Sequence, residues 1–181
     1  VSGAAVLFDG EISVHYRFLW LVGGSDWPEL ISARAGQRNG ILGAAAPGIL
    51  SMITGLHTGR VPFRVDWHDS EPPVDPWWED VVEVSYQPPG TEVALCAFEQ
   101  FVRLTLPRAD SLRVRFCAEG MDEGAERNSA FDDDPRPDRY LLALWPAPPA
   151  PEVIVRETSD HAAYWHQVAR GARRTQARNR P

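Results

Sequence analysis

The stretch EISVHYRFLWL, Glu11–Leu21, alternates with a period of two. Ile12, Val14, Tyr16, Phe18 and Trp20 share one side, and Ser13, His15 and Arg17 the other. That is the signature of a strand with one buried face. GRVPFRVDWH, residues 59–68, repeats it, with Val61, Phe63, Val65 and Trp67 inward and Arg60, Arg64 and Asp66 outward. Pro62 has no N–H to donate, which places this strand at an edge or sets its nitrogen where no ladder needs a donor.

Working outward, the pattern recurs in EDVVEVSY (79–86), TEVALCAF (91–98), FVRLTL (101–106), SLRVRFCA (111–118) and RYLLALW (139–145). Gln87-Pro88-Pro89-Gly90 and Pro107-Arg108-Ala109-Asp110 supply turn chemistry between them. The expectation is an all-β fold, an antiparallel β-sandwich of about seven or eight strands over residues 1–157. Two peripheral helices are expected. One follows Asp26-Trp27-Pro28, where Pro28 suits a first helical turn. The other is capped by Ser159 or Asp160, spans 158–170, and carries Tyr164 and Trp165 to dock it on the body. Residues 119–138, EGMDEGAERNSAFDDDPRPD, read as a mobile acidic loop insertion, and residues 171–181 as a disordered basic tail.

The 181 residues are 44% apolar with seven tryptophans, enough for one domain with a substantial core. Every Lys+Arg position is arginine. Cys96 and Cys117 make no disulfide framework and read as buried free thiols of a reducing compartment. Together with the lack of a signal-peptide pattern, this gives a cytoplasmic expectation. The longest uncharged run, Ile41–Leu56, is interrupted by Gly43, Pro47, Gly48 and Gly55 and is shorter than the ~20 residues of a membrane span.

Charge is laid out unevenly. All 25 acids and 13 of the 18 arginines precede Val168, so that part stands at 13 − 25 = −12, while the last fourteen residues hold five arginines and no acid. Seven acids fall between Asp66 and Glu83. An acidic body is suited to a basic partner, while the tail offers only sequence-independent attraction to nucleic acid and no specific site.

No catalytic constellation emerges. Asp66-Trp67-His68-Asp69 sets a histidine among carboxylates but has no second ligand cluster, and it reads as a polar outer face. His161 and His166 are five apart, wrong for one helical face. Asp132-Asp133-Asp134 lacks the spacing of a calcium loop and reads as a solvated run. Nucleophile elbow, phosphate loop and dinucleotide fingerprint are all missing, so no cofactor, metal or catalytic residue is assigned. The strip HDSEPPVDPWWEDVVE (68–83) is different. Adjacent Trp77 and Trp78 cannot both face the core on extended backbone, which leaves one beside Asp75, Glu79 and Asp80 at the surface. An aromatic anchor rimmed by charge has the composition of an interaction hot spot. Asp75, Trp77, Trp78, Glu79 and Asp80 are the expected partner-binding residues.

The order of these elements, from EISVHYRFLWL through VPFRV, EVSYQPPGTEVALCAFEQ and FVRLTLPRADSLRVRF to a closing strand, resembles the competence protein J family. Members of that family inhibit the competence DNA-entry nuclease. The likeness spans residues 11–118 with an echo at Tyr140–Trp145, and Leu106-Pro107 followed by a tight turn occupies the family's place for that motif. Ala109 stands where a turn glycine is typical, and the 119–138 segment and basic C-terminus look additional. The resemblance implies a β-sandwich and inhibition of a nuclease, whose phosphate-gripping surface would be basic; it carries no residue-level signature. Two other readings stay open. One is a small-ligand or metal-binding enzyme using Asp66, His68 and Asp69, and the other is a structural or regulatory homodimer paired through an exposed edge strand.

Overall fold

The computed structural model describes residues 4–24, 32–131 and 133–178, with side chains to Gly171. Its strands are β1 (Ala5–His15), β2 (Phe18–Val22), β3 (Leu42–Gly43), β4 (Ile49–Ile53), β5 (Thr58–Trp67) and β6 (Asp80–Tyr86). They continue as β7 (Glu92–Cys96), β8 (Phe101–Thr105), β9 (Leu112–Glu119), β10 (Ser129–Ala130), β11 (Arg139–Pro146) and β12 (Val153–Arg156). The helices are α1 (Met121–Arg127) and α2 (Asp160–Arg178), with a 3-10 turn at Ser32–Arg34. The expected helix after Asp26-Trp27-Pro28 lies outside the described residues.

The chain is mostly β, but it is not a sandwich of seven or eight strands. One 12-stranded sheet curls into a half-barrel. One wing runs β12-β6-β9-β11-β5-β1, and the other carries β3-β4-β2 with β7 and β8 beyond β2. Within the described residues β1 meets β2 at a single pair, His15↔Phe18. Both wings close on a common core that includes Ile12, Leu21, Met52, Phe63, Leu95 and Phe116. At its centre Phe63, Phe116 and Tyr140 stack, with Phe116 and Tyr140 5.4 Å apart and 3° from parallel. The sheet is also mixed: β10 and β11 run parallel to β5.

The opening stretch is a hairpin, not a continuous strand. Tyr16 and Arg17 both take positive φ, +56° and +71°, and fold β2 back on β1. A two-residue turn reverses the parity, so Ile12 and Val14 are buried before it and Leu19 and Leu21 after it. Tyr16 is therefore at the surface, contrary to the single-strand reading. The 59–68 stretch follows its expectation, with Val61, Phe63, Val65 and Trp67 buried. Its strand is central, however, between β1 on one side and β10 and β11 on the other. Pro62 falls in the interval between β10, which pairs as far as Gly59, and β11, which pairs from Phe63. The proline occupies the position where that side of β5 has no ladder partner.

The 119–138 segment, expected as a loop, carries α1 and β10 instead. Met121 enters the core, and Asp122 accepts the Asp160 and His161 backbone N–H groups, 3.1 and 2.8 Å, at the start of α2. Ser159 is the cap of α2, its hydroxyl accepting the Ala162 N–H at 3.1 Å. The helix continues past residue 170 to Arg178. Trp165 packs against the core while Tyr164 is exposed, so only the first of the two docks the helix. His166 is fully buried on the inner face, where its Nδ1 accepts the Gly40 N–H at 2.8 Å. A Cβ at Gly40 would fall 1.9 Å from the Trp165 carbonyl oxygen, which is why glycine stands there.

Candidate functional site

The outer face of the β6-β9-β11-β5 wing carries an ionic network. Arg115, almost fully buried, pairs with Glu83 at 2.7 Å and Glu71 at 3.1 Å, and its guanidinium lies 5.0 Å over the Trp145 ring. It also donates to the Pro72 carbonyl at 2.6 Å. Arg113 pairs with Glu83 at 3.3 Å and donates to the Ala150 and Pro151 carbonyls, 3.0 and 3.1 Å. Charges this deep require partners on every side. Here they fasten the Pro-rich segment 71–78 down onto the sheet.

That segment ends in the two tryptophans. Trp78 is buried with Val81 and Cys117, backed by Val74 and Leu141. Trp77 is 44% exposed and lies on Trp78, ring centroids 3.9 Å apart. Over its ring, 4.4 Å away, sits the guanidinium of Arg139, which is itself ion-paired to Glu119. The ring thus meets both an aromatic and a cation while part of it stays open to solvent.

The other expected residues divide. Asp75 is exposed, and its carbonyl accepts the Trp78 N–H at 3.4 Å. Glu79 is half-buried and accepts the Gly120 N–H at 2.8 Å. Asp80 is wholly buried and accepts from the Thr158 and Ser159 N–H groups and the Ser159 hydroxyl, at 2.8, 3.2 and 2.5 Å. Burial raises its pKa, opposed by those hydrogen bonds. Asp80 anchors α2, and of the five residues Asp75 and Trp77 form the accessible centre.

Two residues assigned on sequence to a separate site belong here. A cleft of about 460 Å³ is lined by Asp9, Arg64, Asp66, Asp75, Trp77 and Arg139 among others. A smaller one of about 170 Å³ shares Asp66, Asp75 and Trp78 and adds His68. Arg64 grips both Asp66 oxygens, 2.8 and 2.9 Å, and reaches Asp9 at 3.2 Å. The join depends on β5 lying between β1 and β11, a register that no local motif announces.

Burial lowers the His68 pKa, and burial pushes the Cys117 thiol in the smaller cleft up to about 12 and Cys96 up to about 11. Both cysteines are buried and free. Thiols so far from ionisation are poor nucleophiles. Among the described residues no group of three or more His, Cys, Asp or Glu is placed to hold a metal ion. No described helix is long and apolar enough to cross a membrane.

No family model matches the sequence, and no curated protein does. Two solved structures are similar in fold. One is ComJ from Bacillus subtilis, described as an inhibitor of the DNA-degrading activity of NucA. It matches with a TM-score of 0.52 and 12% identity, over 81% of this chain and 100% of that one. The other is the crocagin biosynthetic gene J product, with a TM-score of 0.48 and 17% identity over 81% and 99%. The strand-and-turn resemblance to competence protein J thus has its counterpart in three dimensions.

Proposed function

We propose that this chain is a non-catalytic binding protein that inhibits a basic nuclease, docking through the acidic surface centred on Trp77 and Asp75. The observation that carries the reading is the half-exposed Trp77 beside exposed Asp75, in a cleft whose charged lining is Asp9, Asp66 and Asp75 against Arg64 and Arg139, on a fold shared with a protein described as a nuclease inhibitor. A nuclease surface is basic because it grips phosphates. An acidic face accelerates encounter with it over several ångströms and excludes DNA from the same ground. Trp77, already in contact with the Trp78 ring and the Arg139 guanidinium, loses little rotamer freedom on binding, which favours it as the energetic anchor.

The test is inhibition of a basic nuclease purified from the same organism, assayed by DNA cleavage. Near-stoichiometric inhibition by the intact chain is expected, weakened at least tenfold in Trp77→Ala with the fold unchanged by circular dichroism. Full inhibition by that variant rejects Trp77 as the anchor. No inhibition by the intact chain rejects the nuclease reading.

A further inference from the structure

The four most exposed large apolar side chains of the described residues are Phe131, Phe98, Tyr16 and Phe101, at 74, 65, 63 and 60%. All four belong to one end of the sheet, where the β1–β2 turn, the β7–β8 turn and the end of β10 meet. Phe98 lies edge-on to His15 at 4.6 Å, His15 lies 4.4 Å from Tyr16, and Tyr16 lies 5.1 Å from His57. Between Phe98 and Phe131 opens a cleft of about 320 Å³, within the size range of ligand pockets. Ser13, His15 and Thr58 line it together with exposed Arg60 and Glu99. Clusters of this kind in water mark interaction sites.

Both walls are fixed. The turn bearing Phe98 is closed by the Ala97 N–H on the Gln100 carbonyl at 2.9 Å. The Gln100 side chain then bridges to β1, its Oε1 accepting the Ser13 N–H at 2.9 Å and its Nε2 donating to the Glu11 carbonyl at 3.2 Å. Phe131 is held by its N–H on the Asp134 carboxylate at 2.8 Å, while its carbonyl accepts from the Asp134 N–H and from Arg136, at 2.9 and 3.2 Å. Tyr16 is kept outward by a turn whose positive φ angles neither Tyr nor Arg favours. Hydrogen bonds from the Arg17 N–H to the His57 carbonyl and from the Thr54 N–H to the Arg17 carbonyl, 3.1 and 2.9 Å, maintain it. Turns closed in this way fix the backbone from which the rings project, which lowers the ordering cost of binding there.

We infer that this cleft is a second docking site, which takes a polypeptide presenting a large apolar side chain beside a basic residue. The apolar group enters between Phe98 and Phe131. Glu99, exposed on the β7–β8 turn, and exposed Asp133, two residues beyond Phe131, supply the negative charge for the partner's basic group. The site is separate from the Trp77 surface and does not depend on the partner being a nuclease.

The probe is phenylalaninamide, an aromatic ring beside an ammonium, titrated into the ¹⁵N-labelled full chain; N-acetylphenylalanine, the anionic analogue, is the comparison. Saturable shifts of the His15, Gly59, Phe98 and Phe131 amides are expected, in the millimolar range suited to a fragment of about a dozen heavy atoms. Phe98→Ala and Phe131→Ala should abolish them, Glu99→Gln should weaken binding about threefold, and the anion should bind more weakly still. Both phenylalanines are exposed, so the variants keep their fold, as their unperturbed core amides will report. Absence of shifts at the cleft, or equal binding of the anion, overturns the proposal. Shifts at these amides that grow with protein concentration alone would assign the cleft to a second copy of the chain and equally overturn it.

Discussion

The two ends of the β1–β5 outer face hold aromatic rings at the surface by different means. At the Trp77 end the ring rests on Trp78, and the segment carrying both is pinned by buried Arg115 and Glu83 and exposed Glu71, brought together from three places in the chain. At the Phe98–Phe131 end each ring is carried by a short turn closed by its own neighbours, with Gln100 tying one of them to β1. The first end depends on long-range electrostatics inside the fold, and the second on local hydrogen bonds. Damage to the core network therefore ought to unseat Trp77 and leave the phenylalanines in place.

The sharpest way to break that contrast is Arg115→Ala. Removing Arg115 leaves Glu83 with Arg113 as its ion partner and takes Glu71 and the Pro72 carbonyl off the sheet, which should cost about 3 kcal/mol, read as a fall in the urea midpoint. Trp77 fluorescence should shift to the red while the Phe98 and Phe131 amides keep their positions; an unchanged midpoint would remove the network from the account.

Acid provides a perturbation outside both ends. Burial holds His166 neutral, its pKa lowered to about 4 against about 6.5 when unfolded. Its stabilising contribution is complete above about pH 6.5 and is lost as pH falls toward 4, a span worth about 3 kcal/mol. Asp80 and Asp138, raised by burial, act in the opposite sense, each costing stability as pH rises through its folded pKa. His57, His68 and His161, also lowered by burial, add to His166 in the same sense, so both ends should lose hydrogen-exchange protection together as pH falls from about 7 to about 5. A His166→Gln chain should lose its own share of that pH dependence, and equal acid sensitivity would assign the effect to the other buried histidines.

A smaller effect is expected from Gln100→Ala, which frees the Ser13 N–H and the Glu11 carbonyl. About 1 kcal/mol should be lost, with faster exchange confined to Glu11–His15 and the β7–β8 turn. Loosening at Trp77 in this variant would mean that the two ends are coupled.

The same division governs what was legible in the sequence. Val61, Phe63, Val65 and Trp67 could be read from parity alone, and adjacency was enough to leave one of Trp77 and Trp78 outside. The β1–β2 hairpin was hidden because Tyr16-Arg17 has neither glycine nor asparagine to announce a positive-φ turn, so a folded ribbon looked like one long strand. Asp80 looked like a surface acid because the Ser159 it anchors is 79 residues away. The half-barrel escaped notice because one pair, His15↔Phe18, joins its wings among the described residues, and alternation looks the same in one curled sheet as in two flat ones. Phe98 and Phe131 did leave a signal, a phenylalanine within a charged turn, but its meaning depended on the two turns being neighbours.

The central claim concerns the Trp77 surface, and the association rate with a basic nuclease as a function of ionic strength tests it most directly. The rate should fall steeply as salt rises from about 0.01 to 0.15 M, across which the Debye length shrinks from about 30 to 8 Å. Trp77→Ala should preserve that slope while dissociating at least tenfold faster. A rate indifferent to salt, or a Trp77→Ala complex as long-lived as the parent, would contradict the account.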